Sequence, residues 1–235
     1  MNLILFGDIQ NWNPCIQLLQ TYRPDIFIIG LSSLDLGQFA SSPVTYTLDE
    51  TANLYHDQQI DGVINIQGEN PYYFQLLENL GIKDIYVIPS IIFRKLEFNE
   101  SIKADSILYP YHEILPELMQ IEFHLADHCN LNCKGCSHFS NLVPAPVFAD
   151  KKQFLRDLKQ LAAYFSQIHN FYLLGGEPLL NPEIGDYITA IHKTFPYTRI
   201  IIVTNGLLLL SIKASLIQII KENHVHISIS DYTCH

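Results

Sequence analysis

Cys129, Cys133 and Cys136 lie in the run Asp127-His128-Cys129-Asn130-Leu131-Asn132-Cys133-Lys134-Gly135-Cys136-Ser137-His138. Three residues separate the first pair and two the second. A closed cubane [4Fe–4S] cluster takes four cysteine thiolates. Three on one short loop would each hold one iron and leave the fourth open, and an open metal position marks a reactive site. The same residues admit a zinc knuckle, with His128 or His138 as fourth ligand, although zinc sites favour paired two-residue spacings. A disulfide pair is a further reading.

The chain downstream bears on that choice. An apolar strand candidate, Ile121-Glu122-Phe123-His124-Leu125, stands just before the cysteines. After them come Leu173-Leu174-Gly175-Gly176-Glu177-Pro178, then Val203-Thr204-Asn205-Gly206, then His226-Ile227-Ser228-Ile229-Ser230-Asp231. Together these motifs resemble the radical S-adenosylmethionine (SAM) enzymes. Those carry Cys-x3-Cys-x2-Cys after the first strand of a (βα) barrel, a Gly-Gly-Glu-Pro element after the second, and further motifs at the third and fourth strand ends. The resemblance covers the chain from about Met119 onward.

The resemblance implies a [4Fe–4S] cluster on Cys129, Cys133 and Cys136 whose open iron is chelated by SAM. Reductive cleavage of SAM would give a 5′-deoxyadenosyl radical that abstracts hydrogen from a substrate. It implies that Gly175, Gly176 and Glu177 meet the SAM amino group, and that Thr204 and Asn205 contact SAM from the third strand. Ser228 and Ser230, on one strand face, would donate to ribose hydroxyls. Simpler readings stand beside these: Gly-Gly serves a strand-to-helix turn, Asn-Gly is a turn pair, and the serines can be polar pleat residues. Many relatives have an aromatic residue before the third cysteine, where this chain has Gly135; Phe139 is a candidate to stack instead. An electron donor such as flavodoxin or ferredoxin is also implied, with a small-molecule or peptide substrate. A truncated, non-catalytic protein that binds a cluster or zinc is the alternative, because relatives have six βα units and this chain shows about four.

Those motifs need strands to position them. Apolar strand signals near 120–126, 170–174, 199–204 and 224–230 alternate with helix signals near 150–167, 182–195 and 211–223, with Asp150 a cap and Pro182 in a first turn. The expected fold class is α/β, a Rossmann-like parallel-sheet domain over 1–98, a linker over 99–118 carrying Pro110 and Pro116, and a partial radical SAM barrel over 119–235. In the first part, strand signals at Leu3–Gly7, Asp25–Gly30, Gly62–Ile66 and Asp84–Pro89 alternate with helix signals at Pro14–Tyr22 and Pro71–Leu80, a pattern that predicts a parallel sheet. Its first turn, Gly7-Asp8-Ile9-Gln10-Asn11, lacks the Gly-x-Gly-x-x-Gly of dinucleotide sites. The domain is therefore read as a docking module, and it tilts the substrate towards a nucleotide-linked or carbohydrate molecule.

Charge divides the same way. Residues 1–118 hold five Lys/Arg and fifteen Asp/Glu, a net of −10, and residues 119–235 hold nine of each, a net of zero. Asp49, Glu50 and Asp57 read as a solvated acidic face. No basic patch suited to nucleic acid is present. Five cysteines, three of them clustered, are not a disulfide framework. Cys15 reads as a small core residue and Cys234 has no assigned role. The apolar run Leu207 to Ile220 is broken by Lys213 and is too short for a bilayer, so it reads as a buried helix of the barrel shell. No basic segment precedes Leu3–Phe6, which argues against a signal peptide. A reducing, cytoplasmic setting is expected.

Overall fold

A computed structural model of the chain describes residues 1–34, 44–68 and 70–230. It has two compact units, Met1–Ile114 and Leu115–His235. Asp231 and the segment 232–235 with Cys234 lie outside the described residues.

In the first unit, β1 (Asn2–Phe6) is buried on both faces: Leu3 to Phe6 are at most 1% exposed. An unbroken apolar run is what such a central parallel strand requires. The others are β2 (Phe27–Ser32), β3 (Thr45–Tyr46), β4 (Gly62–Asn65), β5 (Ile85–Val87) and β6 (Tyr109–Pro110), in the order β3-β2-β1-β4-β5-β6. Only the β5–β6 pairing is antiparallel. Helices α1 (Trp12–Tyr22) and α4 (Ser90–Glu97) cover one face. Helices α2 (Leu48–His56) and α3 (Pro71–Asn79) cover the other. This is the strand order of the doubly wound nucleotide-binding folds, so the Rossmann-like expectation holds at the level of topology. In such sheets the ligand crevice lies where the order reverses, beyond β1 and β4. Here the first turn is packed against the chain itself. A Cβ on Gly7 would lie 2.8 Å from Ile66 Cγ1, and Trp12 Nε1 donates to the Gly7 carbonyl at 2.9 Å.

Two readings of this unit change. Glu50 is more than a solvated acid: its backbone N–H donates to Thr47 Oγ1 (3.2 Å) while its carboxylate accepts from the Thr47 N–H (2.8 Å). That reciprocal pair is a capping box and starts α2. Asp49 and Asp57 are exposed as expected. The stretch 99–118 carries fixed structure where a linker was expected. Ile107 is fully buried, β6 joins the sheet, and Tyr111 stacks on Phe74 with ring centroids 3.6 Å apart. Pro110 sits in an edge strand, where a missing N–H breaks no ladder.

In the second unit, β7 (Glu117–Ala126), β8 (Gln167–Gly175), β9 (Arg199–Thr204) and β10 (His226–Ile229) form an all-parallel sheet of order β10-β9-β8-β7. Helices α5 (Lys151–Tyr164), α6 (Ile184–Thr194) and α7 (Ala214–Glu222) connect them. Asp150 caps α5 by accepting from the Gln153 N–H at 2.9 Å. Pro182 stands just before α6, where Asn181 Oδ1 accepts from the Glu183 N–H. Ile184, Tyr187, Ile188 and Ile191 give α6 a continuous inward stripe. They pack on Leu125, Phe171, Leu173, Ile200 and Ile202 of the sheet. The run Leu207–Ile220 is not a buried helix: α7 has no fully buried residue, although Leu216, Ile219 and Ile220 touch the core, and Leu207 and Leu210 are exposed. Among the described residues, no helix is long and apolar enough to cross a membrane.

The helices thus cover one sheet face. The alternate residues of each strand lie on the other. Register aligns Glu122 with Tyr172, Tyr172 with Ile201, and Ile201 with His226, so one row crosses all four strands. The second-unit core is set by the covered face. Phe171→Ala, at a site with no exposure, should cost about 3–5 kcal/mol, seen as a lower urea midpoint in far-UV circular dichroism.

Candidate functional site

The sequence motifs converge at the carboxyl ends of β7, β8 and β9, where parallel α/β folds gather their functional groups. The join is made by backbone first. The Gly176 N–H donates to the Ala126 carbonyl (2.7 Å) and the Glu177 N–H to the His128 carbonyl (3.1 Å). A Cβ on Gly175, whose φ is +130°, would lie 2.3 Å from the Ala126 oxygen, and one on Gly176 would lie 2.2 Å from the His128 oxygen. Both glycines are therefore needed for the cysteine segment to lie against the end of β8.

Glu177 then ties in β9. Its side chain has no exposed surface. Oε1 accepts from Thr204 Oγ1 (2.7 Å) and the Leu179 N–H (3.0 Å), and Oε2 from the Asn205 N–H (2.9 Å). The carboxylate thus ties the ends of β8 and β9 together from a fully buried position. Thr204, 2% exposed, is part of the same latch.

Asn205 reaches further. Its Nδ2 donates to Asn130 Oδ1 at 2.7 Å and lies 3.7 Å from Cys129 Sγ. Its Oδ1 accepts from the Leu207 N–H at 3.0 Å, which fixes the amide orientation. Ser228 lies in register with Val203, and the Ser230 N–H donates to the Thr204 carbonyl at 2.9 Å. Ser228 thus stands on the uncovered face beside Val203, and the Ser230 backbone is held at the end of β9.

In the cysteine loop, a backbone N–H already meets the first sulfur. The Leu131 N–H donates to Cys129 Sγ at 3.4 Å. The Cys136 thiol is held below its ordinary pKa, first by the backbone N–H of Ser140, with those of His138 and Phe139 adding, against a smaller opposing push from burial. Phe139 takes a left-handed φ of 54°, which turns the chain around that sulfur. Such donors suit thiolates that pass charge to iron. Gly135 faces open space, so no packing demands a glycine there, and Phe139 is 66% exposed.

The two histidines are engaged elsewhere. His128 Nδ1 accepts from the Val147 N–H at 3.2 Å, and its ring meets Phe148 edge-on. His138 packs edge-on against His124 with centroids 4.8 Å apart. Its pKa is lowered by burial and by His124, while Glu122 pulls the other way. Among the described residues, no three His, Cys, Asp or Glu side chains are grouped to hold one metal ion. Zinc draws its ligands to one point at about 2.3 Å, whereas a cubane asks for one thiolate on each of three irons.

Sequence reasoning missed the polar row beside this loop. Glu122, His124, Tyr172 and His226 lie on the uncovered sheet face, with Glu122, His124 and His226 exposed. The signal was present: in β7 the polar Glu122 and His124 alternate with Ile121, Phe123 and Leu125.

Two outcomes follow from this geometry. Glu177→Gln sets an amide N–H₂ against the donors that the carboxylate now accepts. It should cost about 1–3 kcal/mol, and Glu177→Ala more, in urea unfolding; an unchanged midpoint in both would rule out the latch. In metal-free protein at pH 7.5, iodoacetamide should label Cys136 readily. It should spare Cys15, whose thiol burial pushes up to about 12, when sites are mapped by peptide mass spectrometry.

Residues 124–233 match the family model described as the Radical SAM superfamily. Over 105 residues the chain is 32% identical to a GTP 3',8-cyclase of Limosilactobacillus fermentum (strain NBRC 3956 / LMG 18251), covering 43% of this chain and 30% of that protein. The chain thus spans under a third of the length of this curated relative. A crystal structure of BtrN in complex with AdoMet and 2-DOIA aligns with a TM-score of 0.42 at 20% identity, over 50% of this chain and 47% of that one. Members of the matched superfamily use a [4Fe–4S] cluster and S-adenosylmethionine. Over residues 124–233 the second unit, with its three-cysteine loop at the head of a parallel sheet, is thus similar to the radical SAM superfamily.

Proposed function

We propose that this chain acts as a radical SAM enzyme, or as the catalytic domain of one, with Cys129, Cys133 and Cys136 as the ligands of a [4Fe–4S] cluster. The observation that carries the reading is the loop itself. Its first sulfur is met by the Leu131 N–H, its third cysteine is held below its ordinary pKa, and its start is fastened to the ends of β8 and β9. When bound, the cluster and SAM supply reductive cleavage of a carbon–sulfur bond and hydrogen-atom abstraction from a substrate.

The chain's own residues do the rest. Backbone N–H groups of Leu131, Ser140, His138 and Phe139 hold negative charge on the sulfurs. Gly175, Gly176, Glu177 and Thr204 frame the cofactor site, and the backbone of the Gly-Gly turn is what that frame offers a ligand ammonium. Asn205, Ser228 and Ser230 line the same edge of the uncovered face, where hydroxyl-bearing groups of SAM would meet them. Exposed Phe139 is the aromatic group nearest the third cysteine in sequence, in place of the one absent at Gly135.

The polar row of Glu122, His124, Tyr172 and His226 offers acceptors and donors to a hydroxylated or amine-bearing small molecule beside the cysteine loop. That supports a nucleotide-linked or carbohydrate substrate. An electron donor of the flavodoxin or ferredoxin kind and a reducing, cytoplasmic setting complete the proposal.

Anaerobic reconstitution with iron and sulfide tests it. The expected result is broad visible absorbance from the cluster and, with dithionite and SAM, 5′-deoxyadenosine. Both should be lost in Cys133→Ala. One zinc per chain with no iron uptake would sink the reading.

A further inference from the structure

Besides the contact with the cosubstrate proposed for it, Asn205 reaches the cysteine loop through its side-chain amide. The Oδ1 is held by the Leu207 N–H, so Nδ2 must point the other way. There it meets two atoms of consecutive residues: Asn130 Oδ1 at 2.7 Å and Cys129 Sγ at 3.7 Å. The Cys129 thiol itself reaches Asn130 Oδ1 at 3.7 Å. The backbone of Asn205 is fixed in turn by Glu177 Oε2, a buried acceptor. A primary amide with one end anchored and the other aimed at a sulfur is a donor placed for that sulfur.

We propose that Asn205 is a positioning residue for Cys129, whose N–H donation sets the reduction potential of the cluster that Cys129 helps hold. This rests on the proposed ligand role of Cys129. The physical direction is fixed. A donor near a thiolate ligand stabilises the more negative, reduced state of a cluster and raises its potential. Removing the donor lowers the potential. Replacing it with an anion lowers it further, because like charges then oppose at the sulfur.

Asn205→Asp is the informative variant. One carboxylate oxygen can still accept from the Leu207 N–H and keep the turn, while the other replaces the N–H donor with a negative charge. Asn205→Ala removes both contacts. The wild type and both variants are reconstituted and titrated at pH 8 without SAM. Their potentials are then read by electron paramagnetic resonance of the reduced cluster. Leaving out SAM separates this role from any contact Asn205 makes with the cosubstrate.

The expected order of potentials is wild type highest, Asn205→Ala lower and Asn205→Asp lowest, at matched iron content. Equal potentials in all three, or a higher one in Asn205→Asp, would overturn the assignment. Reduced iron loading at an unchanged potential would mean that Asn205 only shapes the loop, and would also overturn it. Failure of the wild type to take up a cluster would remove the ligand reading itself and this inference with it.

Discussion

The second unit depends on a carboxylate that never sees water. Glu177 is fully buried and accepts three hydrogen bonds, from Leu179, Thr204 and Asn205. Burying such a group alone costs several kcal/mol, so it survives only where donors surround it. The donors come from two strand ends, and that is the structural consequence. The end of β9 cannot leave the end of β8 without stranding Glu177. The backbone just before Glu177 holds β7 in the same way, through Ala126 and His128. Three strand ends are thereby placed together before any cofactor arrives, which is the preorganisation that a site built on rigid elements needs.

Much of this was legible. Apolar runs alternating with helix signals marked the strands of both units, and the motif order placed the second-unit elements within a few residues. Residues that report local chemistry through distant partners were less legible. Glu177 was read as a ligand contact because Gly175-Gly176-Glu177-Pro178 resembles the radical SAM element; only the fold shows that Leu179, Thr204 and Asn205 donate to its oxygens. Glu50 was read with Asp49 and Asp57 as an acidic face, although Thr47 three residues before it carried a capping signal. Residues 99–118 looked like a linker because Pro110 and Pro116 punctuate them. Ile107 and Tyr111 were the counter-signal, apolar groups whose burial pulls that segment onto the first-unit core. The apolar run at Leu207–Ile220 misled in the opposite direction. Hydrophobicity argued for burial, but α7 lies over the margin of the sheet next to edge strand β10, where Ile227 and Ile229 are exposed too.

The cysteine loop shows a related economy. Between Ala126 and Ser140 it has no regular element, and nearly all its side chains reach solvent. A packed core does not order it. Its order comes from its two ends. His128 is held at one end by Val147 and Phe148, and Asn130 by Asn205. Phe139 is held at the other in a left-handed conformation that non-glycine residues adopt at a cost of order 1–3 kcal/mol. The first and third cysteines sit next to these anchors; the Cys129 sulfur accepts from the Leu131 N–H, and the Cys136 thiol is held below its ordinary pKa. Cys133 lies between them, near Gly135, where nothing packs. Fixing a free backbone residue costs about 1–2 kcal/mol, and metal affinity carries whatever ordering remains to be done. A loop anchored beside Cys129 and Cys136 confines that cost to the stretch around Cys133.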